Sequence, residues 1–151
     1  MTLPALVRSR HASSAAEFAL VVIPLMAMVM GSIEFARLQW TRNALQEVAS
    51  ASARCVGMKA RSCGTATTDA SGKTTYSYNA ATARTFTTAQ AAAWSLSLPT
   101  AEIAIAEAAT CQGVSGFAQV TLTHAFKSGF LAAAGANNYP ITAVACFPNQ
   151  T

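Results

Sequence analysis

Charge is scarce in this sequence. Of 151 residues, ten are Lys or Arg and six are Asp or Glu, 11% in all, against roughly 25% in ordinary soluble domains. Low charge combined with 52% hydrophobic residues excludes an intrinsically disordered chain, which needs the opposite balance to resist collapse. The net charge is +4, yet the cations are spread thinly from Arg8 to Lys127, with no basic run interleaved with aromatics. That pattern excludes the usual footprint of a nucleic-acid binder. The marks of catalysis are missing as well. The sequence holds no Gly-x-Ser-x-Gly, no phosphate loop and no metal cluster. The cysteines at 55, 63, 111 and 146 form no C-x-x-C, and no His pair lies near them, so zinc is not expected. His124 stands alone on an apolar strand pattern, and Glu102 and Glu107 have no evident partner. The expectation is therefore a chain that is not an enzyme, with no cofactor and no small-molecule substrate. Its length suits one domain, or one domain plus a membrane element.

The apolar content needs dividing. Alanine supplies 34 residues, so much of it is small and helix-friendly rather than bulky. The bulky part is concentrated near the N-terminus. From Phe18 to Ile33 no residue is charged, and Ala15 to Ala36 contains only Glu17 and Glu34. At 1.5 Å per residue those 22 residues make a helix of about 33 Å, enough to cross a hydrocarbon core. A buried core helix would show a polar stripe. A cleaved secretory signal would end in an A-x-A-like site. Neither feature is present, and Pro24 is better tolerated in a membrane helix than in a soluble one. Basic residues flank the segment almost evenly, with Arg8, Arg10 and His11 before it and Arg37 and Arg42 after it. Because all four cysteines follow the segment, an oxidising compartment is expected on that side, with the N-terminus in the cytoplasm.

Glu17 at the start of an apolar helix is costly unless partnered. Read by itself it is a first-turn carboxylate, with Ser13 or Ser14 as cap and the helix dipole favouring an acid. The combination is more specific. A basic leader and small residues precede Glu17-Phe18-Ala19-Leu20. Pro24-Leu25 lies within the helix, and Gly31-Ser32-Ile33-Glu34-Phe35-Ala36-Arg37 forms its exit. This stretch resembles the TadE-like family, pseudopilins or minor pilins of the tight-adherence (Flp-type) pilus system, over about residues 12 to 42. The resemblance implies cutting of a leader, residues 1–12, by a prepilin peptidase between Ala12 and Ser13. Glu17 is then the fifth mature residue and, with Phe18, serves assembly and recognition. Gly31, Glu34, Phe35 and Arg37 form the membrane-exit motif. The family pattern has glycine where this chain has Ala12. The implied partners are the membrane, the peptidase, the major pilin and other pseudopilins, and the inner-membrane assembly platform. The implied location is the bacterial inner membrane, single-pass, with the C-terminal domain periplasmic or extracellular. The alternative is an uncleaved membrane-anchored binding or scaffold protein of the same apparatus.

After the membrane helix (13–36), Leu38, Thr41, Leu45, Val48, Ser52 and Cys55 follow a three/four spacing. That spacing predicts an amphipathic extension over 37–60, with Gly57 as its C′ stop. Residues 62–78 read as a loop or irregular hairpin, and Asn79 caps a helix reaching about Leu96. Phe86 and Trp94 share a face of that helix and are assigned to the core. Strands are expected over Ile103–Glu107, Phe117–Phe126 and Ile141–Phe147, with Val120, Leu122, His124 and Phe126 on one face. A long hairpin loop or short helix, with a turn at Asn137-Asn138, joins the last two. The four cysteines allow three pairings. Cys55–Cys63 at the helix junction and Cys111–Cys146 across the last strands are favoured because both are local. The expected fold is α+β and pilin-like. A long N-terminal transmembrane and amphipathic helix joins a small extracytoplasmic domain, 61–151, of one further helix and a three- to four-stranded antiparallel sheet.

Overall fold

A computed structural model describes residues 10–129, 132 and 138–150, with side chains from Ala15 onward. The element order is α1 (Arg10–Gly57), β1 (Gly64–Thr68), β2 (Thr74–Tyr78), α2 (Ala80–Ala93), β3 (Ile103–Cys111), β4 (Val114–Phe126) and β5 (Tyr139–Pro148). The fold is α+β with a long N-terminal helix. The strands form two antiparallel sheets, the hairpin β1–β2 and a three-stranded sheet in the order β3-β4-β5. The chain divides into two compact units, Met1–Arg37 and Leu38–Thr151. The amphipathic part of α1 thus belongs to the compact domain, which starts earlier than residue 61.

In the second unit α1 is the spine of the core. Thr41, Leu45, Val48, Ser52 and Cys55 are all buried, while Asn43, Glu47, Ser50 and Arg54 on the other faces are exposed. The amphipathic stripe therefore packs on its own domain. Leu45, Val48, Ala49 and Ala53 meet Ile103 of β3, Val120, Leu122 and Phe126 of β4, and Ile141 and Ala143 of β5 in one cluster. The register Val120↔Ala145 and Leu122↔Ala143 places a branched residue of β4 opposite an alanine of β5. Alternating large and small residues lets the helix approach the sheet closely. A second cluster joins Cys55, Val56, Cys63, Ala83 and Ala118.

Local chemistry fixes the ends of the elements. The Asn79 side chain accepts from the Ala81 and Thr82 amides, capping α2, and its Nδ2 donates to Thr65 Oγ1 at 2.8 Å. Thr87 of α2 reaches α1, with Oγ1 3.0 Å from Ser52 Oγ and 2.8 Å from Ala83 O. This satisfies two buried hydroxyls that would otherwise each cost about 1–3 kcal/mol. Gln112 and Gly113, both with positive φ (51° and 84°), form the two-residue β3–β4 turn, as type I′ hairpins require. The structure joins Cys55 to Cys63 and Cys111 to Cys146, with Cα–Cα distances of 5.9 and 6.5 Å.

Three expectations need correction, and one pair of alternatives is resolved. Gly57 is not the left-handed stop of α1. Lys59 takes that conformation (φ 50°), and the Lys59 and Ala60 amides donate to Val56 O and Cys55 O, a Schellman ending with a lysine at C′. Gly57 is required by close approach, since a Cβ there would lie 2.7 Å from Phe147 Cδ1 and 3.0 Å from Pro148 O. Trp94 is outside the core, 38% exposed, and meets the exposed Trp40 edge-on, ring centroids 5.8 Å apart. Glu102 does have a partner, with Oε2 3.4 Å from His124 Nδ1. The Thr/Ser-rich segment 62–78 is an ordered hairpin with five paired positions from Gly64↔Tyr78 to Thr68↔Thr74. Between β4 and β5, the Ala132 amide donates to Ser128 O at 3.1 Å, while Asn137 of the expected turn lies outside the described residues.

The β1–β2 turn is held by one carboxylate. Asp69 Oδ1 accepts from the Ser71 hydroxyl, the Ser71 amide and the Lys73 amide at 2.6, 2.9 and 2.9 Å. These bonds, the Ser71 hydroxyl foremost, lower the Asp69 pKa below its ordinary 3.8. A depressed carboxylate pKa stabilises the turn above the unfolded value, and that contribution is lost as pH falls through the folded value. Amide resonances of Ser71 and Lys73 are therefore expected to titrate with a midpoint under 3.8; a midpoint at or above it contradicts the bonding. In a second test, Gly57→Ala should lower stability by about 1–3 kcal/mol by overpacking against β5, read as a lower thermal midpoint of the detergent-solubilised chain. An unchanged midpoint would show that Phe147 and Pro148 yield freely.

Candidate functional site

The side chains of the first unit do what those of a folded core do not. Phe18, Leu20 and Met28 are 70, 75 and 74% exposed, and Val21, Ile23, Leu25, Met26, Val29, Met30 and Ile33 are exposed as well. The successive helical offsets of these residues cover every face of the helix. A core helix buries at least one stripe, yet this stretch is 0% buried and is the one candidate membrane span among the described residues. Moving a single large apolar side chain from water to an apolar medium is worth about 1.5–3 kcal/mol, so the segment as a whole favours hydrocarbon strongly. It is compatible with a single-pass anchor. Pro24 lies inside the helix without ending it, as lipid-facing helices tolerate.

The structure places the sequence-derived site residues as follows. Ala12 and Ser13 lie within α1, which already begins at Arg10. Ser13 and Ser14 are therefore helix-interior residues, and Glu17 stands beyond the first turn. This overturns the reading of Glu17 as a first-turn carboxylate in a helix capped by Ser13 or Ser14. Glu17 and Phe18 are exposed. The exit motif holds together locally. Glu34 Oε1 meets Arg37 Nη1 at 3.4 Å one turn on, and Ser32 Oγ donates to Met28 O at 2.8 Å. An exposed i,i+3 pair contributes only about 0.3–0.5 kcal/mol. The Glu34 side chain, however, is only 19% exposed, and its Oε2 is enclosed without a hydrogen-bond partner among the described residues. Phe35 is exposed, and among the described residues a Cβ on Gly31 would meet nothing within 4 Å.

With this geometry in place, the comparison with protein families is informative. Residues 12–54 match the family model of the TadE-like protein. The match begins at Ala12 and covers the apolar segment, the exit motif and most of the core-forming stripe. Over that stretch the chain is similar to TadE-like proteins. No curated protein and no solved structure matches the chain. The α2, β-hairpin and three-stranded-sheet region after residue 54 lies outside the matched stretch.

Elsewhere the described residues offer little for chemistry. No group of three or more potential metal ligands occurs among them, and His124 with Glu102 is an isolated, half-buried pair at the sheet. A surface hollow of about 670 Å³ is lined by residues that include Thr110, Gln112, Gln119 and the Cys111–Cys146 bridge, a neutral surface without a nucleophile beside a base. The first unit carries an exposed apolar helical stretch, and the second is a small domain tied by two disulfides. Sequence reasoning passed over Trp40 altogether. Its signal was available, since an aromatic four residues past an apolar segment is a common interfacial anchor.

Proposed function

We propose that this chain is a pseudopilin of a tight-adherence pilus, anchored in the inner membrane and drawn from it during assembly. The observation that carries the reading is the TadE-like match over residues 12–54 on a helix whose apolar half has exposed side chains on all faces. The two disulfides support an orientation with the domain on the oxidising side and the N-terminus in the cytoplasm. A prepilin peptidase cuts between Ala12 and Ser13. The cut bond lies inside a helix in the uncut chain, so the peptidase must unwind it. Cutting then gives Glu17 what it lacks. The helix would begin at Ser13, bringing Glu17 close to a new helix N-terminus and a new α-amino group. Both favour its negative charge, and a neighbouring subunit's amine can pair with it when lipid is exchanged for a packed fibre. The major pilin, sister pseudopilins and the assembly platform are the partners of this cycle, and no catalytic role is assigned.

A second reading, an uncleaved anchored scaffold of the same apparatus, is favoured by one observation, Ala12 at the position where the family pattern carries glycine. Co-expression of the full chain with a prepilin peptidase, followed by intact-mass measurement, separates the two. A mature chain starting at Ser13 supports the pseudopilin, whereas a retained leader supports the scaffold. Glu17→Ala is expected to leave cleavage largely intact and to reduce co-purification with pilus components. Normal pilus output in that variant would refute the assigned role of Glu17.

A further inference from the structure

Both tryptophans of the chain lie in one exposed pair, and their setting is unusual for a domain surface. Trp40 is 61% exposed and stands edge-on to Trp94, at 5.8 Å between ring centroids. Trp94 follows the last residue of α2 and is its C-cap. Neither indole N–H has a hydrogen-bond partner among the described residues. Two residues further along α1, and so on another face of the helix, the Arg42 guanidinium sits over the exposed Tyr139 ring, 6.0 Å from its centroid. Tyr139 opens β5 and pairs in register with Phe126, and the exposed Lys127 follows directly. Elements distant in sequence thus bring two tryptophans, a tyrosine and two cations to the same end of the domain.

That end is where α1 arrives from the apolar segment. Trp40 follows Ala36 by four residues on the same helix, a rise of about 6 Å. The polar layer on each side of a hydrocarbon core is about 5–8 Å thick, so Trp40 falls at headgroup depth once Ala15–Ala36 spans the bilayer. Indole and phenol rings favour that depth because one end is apolar and the other remains wet. Arg42 and Lys127 add positive charge toward anionic headgroups, and the five residues include no acid. Trp94 is the telling member. It is 54 positions removed from Trp40 in sequence and has no reason to be near the membrane except through the fold.

We propose that Trp40, Trp94, Arg42, Tyr139 and Lys127 form an interfacial collar that seats the membrane-proximal end of the domain on an anionic lipid surface. The inference rests on the apolar segment spanning the bilayer, and it adds which face of the folded domain touches lipid. The collar fixes the height and tilt at which the domain meets its neighbours, and its lipid contacts must be broken for the subunit to leave the membrane.

Tryptophan emission reads this surface alone. The full chain is reconstituted into phosphatidylethanolamine–phosphatidylglycerol vesicles doped with lipid brominated either close to the headgroup or at the chain end. Trp40→Phe leaves Trp94 as the sole emitter and retains an aromatic ring in the pair. The expected result is a blue-shifted Trp94 emission that loses more intensity to shallow than to deep bromines and is shielded from aqueous iodide. If Trp94 is fully open to iodide and blind to both bromines while the protein resists carbonate extraction, the collar is wrong and the anchor stands. Release by carbonate overturns the anchor and the collar together. Should the substitution disturb folding, the unsubstituted chain gives the same depth readout from the pair, with a wholly iodide-accessible emission as the overturning result.

Discussion

Sixteen consecutive uncharged residues, Phe18 to Ile33, whose bulky side chains point outward on every face, set the terms for the rest of the molecule. Water is a poor solvent for such a surface, and nothing in the described part of the chain covers it. The helix therefore requires either lipid or the apolar flanks of other helices. The proposed pseudopilin role would consist of an exchange between those two environments. In the proposed assembly, Glu17 would make that exchange selective. A carboxylate is tolerated near a polar boundary, but in a dry packed stalk it must have a cation, and cutting at Ser13 would create one.

The same helix then changes character without interruption. From Leu38 onward its side chains divide into a buried stripe and an exposed face, and the domain is built on that stripe. The core is small in volume because it is rich in alanine: Ala44, Ala49, Ala53, Ala83, Ala91, Ala118 and Ala143 are all buried. Small side chains allow α1, α2 and the sheet to pack closely, but each contributes little transfer energy. The domain compensates with specific ties. One bridge closes the end of α1 onto the following turn and the other links β3 to β5. Disulfides of this kind contribute about 2–4 kcal/mol each. The Ser52–Thr87 hydroxyl pair joins the two helices, and Gly57 lets β5 lie against the end of α1.

The helix and strands were legible where period and burial agree. The Leu38 to Cys55 spacing identified the buried stripe, Asn79 marked the start of α2, and the alternation from Phe117 to Phe126 located the central strand with its buried Val120 and Leu122. The sequence was silent where tertiary partners decide. Gly57 looks like a helix stop from local rules, whereas its actual constraint comes from Phe147, ninety positions away in the chain. Trp94 has the helical spacing of a core residue, yet Ala91, Leu96 and Leu98 are the neighbours that pack in the core, and the large ring meets Trp40 outside it. In the hairpin at 64–78 alternation is confined to Tyr76 and Tyr78 of β2, and its order also draws on the Asp69 turn and the Thr68–Thr74 hydroxyl pair. Within the candidate site, the exit motif could be read directly, but the enclosure of Glu34 could not, since a side chain's surroundings are not written in its neighbours along the chain.

Hydrogen–deuterium exchange of the full chain in lipid nanodiscs tests the apolar helix most directly. Amides sealed in hydrocarbon have neither water nor catalyst for exchange. A lipid-embedded segment predicts protection across Phe18–Ile33 at least as strong as that of the core stretch Ala44–Val56. Rapid exchange of Phe18–Ile33, with Ala44–Val56 still protected, would contradict it.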